Sequence, residues 1–141
     1  MSVLHQSPRH VVAGLVGPIE VALDRPREGS ALNGLVYVGH PHPLFGGTLD
    51  NKVAATLART YAANGWLAIR PNFRGVGRSA GSHDAGHGEA LDILHLIDTE
   101  AQWLRPLLGD ALPEDCARAL AGFSFGSFVV AQVACQLAER G

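Results

Sequence analysis

Residues 121–127 read Ala-Gly-Phe-Ser-Phe-Gly-Ser, directly after the largely apolar run at 117–121. Within them, Gly122-Phe123-Ser124-Phe125-Gly126 fits G-x-S-x-G, the pattern of a nucleophile elbow. In such an elbow a strand turns sharply into a helix and holds the serine in strained backbone geometry with its hydroxyl exposed. Side chains two residues before and after would collide in so tight a turn, which accounts for both glycines. A five-residue pattern also occurs by chance, so the surrounding chain must decide.

The flanking sequence supplies the expected context. "HVVAGLVG" and "IEVALDRP", separated by Gly17-Pro18, predict an N-terminal antiparallel hairpin. "LVYVGH" is a continuously apolar strand of the kind buried on both faces, followed by the loop "PHPLFGGT". Val53, Leu57 and Tyr61 recur at helical spacing between Asn51 and Asn64, with Thr48 or Asp50 as the expected cap. "WLAIRPNF" is the next strand, leading into the glycine-rich loop "RGVGRSAGSHDAGHG". A second helix is predicted over Glu89–Leu104, ending near Pro106. "ARALAGFS" is then a strand, and Gly126–Arg140 a helix so apolar all round that deep burial is expected.

Alternating strands and helices imply right-handed crossovers and a mostly parallel α/β sheet, with the hairpin at one edge. Chemistry in such sheets gathers at the carboxyl ends of the strands, where the loops after Gly39, Phe73 and Phe123 stand. The 141 residues form one domain by length. A net charge of −2 and scattered basic residues point away from nucleic acid or anionic lipid as partners. No apolar run approaches a membrane span, and "MSVLHQSPRH" has no signal-peptide character. Cys116 and Cys135 lack CxxC spacing, and Cys135 reads as a buried structural thiol, so a reducing cytoplasm is expected.

Three motifs together resemble the α/β-hydrolase superfamily, and in order and spacing its small, lidless bacterial serine hydrolases with esterase-like character. The first is the strand–GFSFG–helix unit. The second is "GHPHPLFGGTLDN", similar to that superfamily's His-Gly oxyanion loop, with His42-Pro43 standing for His-Gly. The third is "PNFRGVGRS", similar to its D-x-R-G-x-G-x-S segment. The resemblance runs from about Val11 onward. It implies a nucleophile at Ser124, an acyl-enzyme formed from a small ester, thioester or related acyl substrate, and no metal or organic cofactor. The Phe125 N–H would be one oxyanion donor. Pro41 and Pro43 have no N–H, so Leu44 is the expected second donor, with His42 the alternative.

Competing readings are specific enough to test. His40 and His42 form an H-x-H pair, but no third ligand has convincing spacing for zinc; hydrogen bonds that fix the loop are their expected role. His83, Asp84 and His87 fall in a Gly/Ser-rich loop and are expected to be solvated, although His83 and His87 could approach the rim of the site. His95 falls on the polar face of its helix. "GVGRSAG" at 75–81 imitates a dinucleotide fingerprint, which would make the chain an oxidoreductase domain, yet helical periodicity begins well after it.

The superfamily orders its triad Ser, Asp or Glu, then His. All seven histidines precede Ser124, and Glu139 is the sole carboxylate among the seventeen residues after it. The reading is therefore of a C-terminally incomplete hydrolase whose acid and base lie in further strands, with a non-catalytic binding module as the alternative. The 141 residues alone are expected to hydrolyse esters slowly and to associate through an open sheet edge.

Overall fold

The computed structural model describes residues 7–140. Five strands form one open sheet: β1 (Arg9–Ala13), β2 (Pro18–Asp24), β3 (Gly34–Gly39), β4 (Trp66–Pro71) and β5 (Ala117–Gly122), in the order β1-β2-β4-β3-β5. β1, β2 and β4 pair antiparallel, while β4, β3 and β5 are parallel. The hairpin occupies one edge, as the sequence predicted, and β5 the other. The helices are α1 (Lys52–Ala63), α2 (His87–Asp98), α3 (Glu100–Trp103), α4 (Arg105–Leu108) and α5 (Phe125–Glu139).

β3 is buried at every position, so its alternate residues feed two separate cores. Leu35 and Tyr37 join Leu67, Ile69, Ile93, Leu96, Val129 and Val133 on the face covered by α2 and α5. Val36 and Val38 meet Ala54, Ala58 and Ala68 on the α1 face. Here the sequence reading of α1 is corrected. Its sheet-facing surface is Ala54, Ala55 and Ala58, whereas Val53 is 39% exposed and Leu57 and Tyr61 pack at the margin. Small residues let the helix approach the sheet closely, so the larger apolar stripe rides on its flank. The cap is Asn51, which accepts from the Val53 and Ala54 N–H groups at 2.9 and 3.2 Å, and not Thr48 or Asp50.

The helix expected over Glu89–Leu104 breaks at Thr99, and α4 continues past Pro106. Thr99 turns its Oγ1 back to the His95 carbonyl at 2.6 Å, and the Trp103 indole donates to the Leu96 carbonyl at 2.8 Å. The break brings Glu100 into the core. There it accepts from the Tyr37 hydroxyl at 2.6 Å and pairs with Arg118 of β5. Burial first, then the Glu100 charge and hydrogen bond, hold the Tyr37 hydroxyl well above its usual range.

α5 is the other correction. Only Gly126, Val129, Val130 and Val133 are buried, while Phe128 is 54% exposed. Cys135 is exposed and Cys116 half-buried, and both are free thiols; the buried structural role expected for Cys135 does not hold. β5 pairs with β3 on one side and, among the described residues, with nothing on the other.

Candidate active site

The register between β3 and β5 builds the site. Their residues pair in sequence from Gly34↔Ala117 to Gly39↔Gly122, so both strands end side by side. The chain leaving Gly39 therefore runs beside the chain leaving Gly122, and the Phe123 N–H donates to the Gly39 carbonyl at 3.2 Å. α5 begins at Phe125, immediately after the turn. A Cβ at Gly122 would lie 2.6 Å from the Gly126 carbonyl carbon, and one at Gly126 would overlap the Gly39 carbonyl. Glycine at both positions is what lets strand, turn and helix approach so closely.

Between them Ser124 sits at φ 58° and ψ −123°, one of two non-glycine residues with positive φ among the described residues. Such backbone costs on the order of 1–3 kcal/mol and persists only where the surroundings over-determine it. Ser124 is exposed. The Gly126 and Ser127 N–H groups close onto the Phe123 and Ser124 carbonyls at 3.0 and 2.9 Å. Among the described residues, no acceptor takes the N–H of Phe125.

The loop after β3 is anchored at both ends. His40, fully buried, donates from Nδ1 to the Pro41 carbonyl at 2.7 Å and accepts the Phe73 N–H on Nε2 at 3.0 Å. Burial lowers its pKa to about 4, which keeps the Nε2 lone pair free for that bond. At the far end, Leu49 donates its N–H to Asn72 Oδ1 at 2.8 Å and gives its carbonyl to Arg70 at 2.6 Å. Between the anchors, a short 3₁₀ turn at Pro43–Phe45 folds back on His42. The Leu44 N–H donates to His42 Nδ1 at 3.2 Å, and the Phe45 and Gly47 N–H groups donate to the His42 carbonyl. Leu44, the expected second oxyanion donor, thus has its N–H engaged within its own turn. The N–H of His42 has no acceptor among the described residues.

The glycine-rich loop after β4 closes the third side. Asn72 and the Arg78 N–H both donate to Glu20 Oε1 at 2.9 Å, and Ser79 Oγ donates to the Asn72 carbonyl at 2.8 Å. A Cβ at Gly77, where φ is +54°, would collide with the Glu20 carboxylate and the Asn72 amide. Desolvation opposes the Glu20 charge, but the Arg78 N–H and Asn72 outweigh it and hold the carboxyl below its ordinary range. A carboxylate thus fills the place where a dinucleotide fingerprint would offer its amides to phosphate. α2 begins only at His87, far from Gly77. Arg74 grips Asp92 of α2 through two bonds, at 2.8 and 3.1 Å, and these hold its guanidinium charge more firmly than usual.

His83 is not solvated. Its side chain is 19% exposed, and its ring lies 4.8 Å from that of His42 and 5.4 Å from that of Phe125. His42 and Phe125 are themselves 4.6 Å apart, so the three loops meet in one aromatic cluster. Sequence spacing gave no signal for this, because it depends on three separate connections arriving together. Asp84 and His87 are exposed, and His95 reaches the Ala13 carbonyl at 3.2 Å. Concavities of about 500 and 560 Å³ lie by Arg25 and Leu32 and by His10 and Trp103, and Ser124 lines neither. Among the described residues, no group of three or more His, Cys, Asp or Glu could hold a metal ion, and no helix is long and apolar enough to cross a membrane.

No family model matches the chain. A lidless α/β serine hydrolase from Xanthomonas campestris is 36% identical, with a TM-score of 0.79 over 96% of this chain and 59% of that one. An α/β serine hydrolase homologue from Coxiella burnetii is 37% identical, with a TM-score of 0.77 over 94% of this chain and 59% of that one. An uncharacterised protein from Rickettsia prowazekii is 35% identical over 105 residues, which is 74% of this chain and 41% of that protein. The chain therefore spans between about two-fifths and three-fifths of the length of these relatives. Its open five-stranded sheet with flanking helices is the α/β-hydrolase fold, and the two solved structures it resembles at 36% and 37% identity are an α/β serine hydrolase without a lid and an α/β serine hydrolase homologue.

Proposed function

We propose that Ser124 is the nucleophile of a serine hydrolase acting on carboxylic esters, thioesters or related acyl bonds of small molecules. The observation that carries this reading is the backbone at Ser124. A non-glycine residue is held at φ 58° between two glycines whose neighbours leave no room for a side chain, directly before a helix. Strain at an exposed serine has no structural benefit that glycine would not provide better.

In this reading Ser124 Oγ attacks the acyl carbonyl as a base removes its proton, giving a tetrahedral oxyanion. Collapse expels the alcohol or thiol, which takes that proton, and leaves an acyl-serine. Water, deprotonated by the same base, then releases the acid and restores the hydroxyl. The oxyanion would be received by the N–H groups of Phe125 and His42, each worth about 3–4 kcal/mol in comparable sites. His42 replaces Leu44 as second donor because the Leu44 N–H is already given to His42 Nδ1. We assign the base and the carboxylate that orients it, a His and an Asp, to the further length that the relatives have. Two free cysteines suit a reducing cytoplasm.

A fluorophosphonate probe tests the assignment by phosphonylating an activated serine. In the longer protein that carries this chain, labelling should map to Ser124 and vanish in Ser124→Ala. A folded protein that takes no label would favour a non-catalytic binding module, and NADPH binding would revive the oxidoreductase reading.

A further inference from the structure

Outside the proposed chemistry, one titratable side chain at the site is unexplained. His83 Nδ1 is buried without a hydrogen-bond partner, yet lies 3.4 Å from Oε2 of Glu89, a carboxylate that is 0% exposed. Glu89 is fixed in turn, since its two oxygens accept the Asp84 N–H at 2.8 Å and the Gly86 N–H at 2.9 Å. A neutral imidazole carries one N–H, and a lone pair facing a buried carboxylate would be repelled. The proton therefore belongs on Nδ1, drawn toward Glu89. The ring so oriented packs on His42 and on Phe125.

We propose that His83, whose Nδ1 faces the fixed Glu89 carboxylate, is a positioning residue that sets the spacing between the His42 and Phe125 N–H groups. This rests on the reading of those two groups as the oxyanion donors. They come from different loops, after β3 and after β5, and His83 comes from the third, after β4. Its ring contacts both donor residues and is anchored independently of either, to α2. Oxyanion donors contribute to rate only when fixed before the charge develops, and displacement by about 1 Å can cost up to about 10²-fold.

The test uses three variants, His83→Ala, His83→Phe and Glu89→Gln, read by NMR and by kinetics. In the ¹⁵N–¹H spectrum of the protein carrying this chain, His83→Ala should shift and broaden the His42 and Phe125 amides, while His83→Phe, which keeps the stacking and loses the Glu89 contact, should shift them less. Imidazole ¹⁵N shifts should show His83 as the Nδ1–H tautomer, and Glu89→Gln should weaken that preference. Unmoved amides in a folded His83→Ala chain, or an Nε2–H tautomer in the wild type, would overturn the proposal. With p-nitrophenyl acetate and the protein carrying this chain, kcat should fall on the order of tenfold in His83→Ala with KM within about twofold, and recover only in part in His83→Phe. Turnover that needs Ser124 but ignores His83→Ala sinks the positioning role and spares the serine. Loss of all Ser124 labelling sinks the serine reading instead, while the amide shifts still decide whether His83 orders the two loops.

Discussion

His40 and Ser124 both hold a state that the unfolded chain would not choose, and each gives a measurable consequence. Neutral His40 is needed to accept the Phe73 N–H, and burial lowers its pKa from 6.5 to about 4. The unfolded chain binds a proton at His40 below about 6.5, whereas the folded chain does so only near 4. Its stabilising contribution is thus complete above pH 6.5 and lost as pH falls toward 4; the gap is worth about 3 kcal/mol. Urea midpoints taken from pH 7.5 to 4 should fall across that window. His40→Ala should be less stable at neutral pH and show a shallower decline, and an unchanged decline would place the acid sensitivity elsewhere. Ser124→Gly should do the opposite. Releasing the strain at φ 58° should raise stability by about 1 kcal/mol, net of the chain entropy glycine adds, while abolishing any acyl-enzyme. A destabilised Ser124→Gly variant would mean that the turn is not strained.

Elements are where sequence and structure part company in instructive ways. The order of strands and helices was legible because hydrophobic period and glycine punctuation are local properties. So was the glycine–serine–glycine turn, whose steric demand is written into adjacent residues. Which face of α1 meets the sheet was not legible, because closeness of approach favoured Ala54 and Ala58 over the larger Val53 and Leu57. Nor was the break at Thr99, which is explained by Glu100 reaching Tyr37 on β3 and Arg118 on β5. Neither partner is visible from helical periodicity. Two substitutions test these junctions. Tyr37→Phe removes one partner from a buried carboxylate and should cost about 1–3 kcal/mol in urea unfolding. Gly126→Ala places a methyl against the Gly39 carbonyl and should cost about as much or more while disturbing the turn. A neutral Gly126→Ala would contradict the close approach of β3 and α5. The engagement of Leu44 and the packing of His83 escaped the sequence for the same reason, since each depends on how a loop folds back.

At the scale of the whole molecule, the sheet presents β5 as an edge and α5 exposes Phe128, Cys135 and much of its outer side. The burial expected of so apolar a helix would need more structure against that side than residues 7–140 provide. As a 141-residue polypeptide, the chain should sediment in a concentration-dependent way, and Phe128→Lys should lessen the effect; a monodisperse monomer at high concentration would contradict this. Cys135 should react promptly with a thiol reagent. Cys116, whose pKa is raised chiefly by burial, should react slowly. The central claim, however, is that this fold exists to hold Ser124 as a nucleophile. It is tested most directly by treating the folded protein that carries this chain with a fluorophosphonate and mapping the adduct by peptide mass spectrometry. The account predicts one adduct, on Ser124, absent from Ser124→Ala and from heat-unfolded protein. An adduct on another residue, or none on a folded protein, would contradict it.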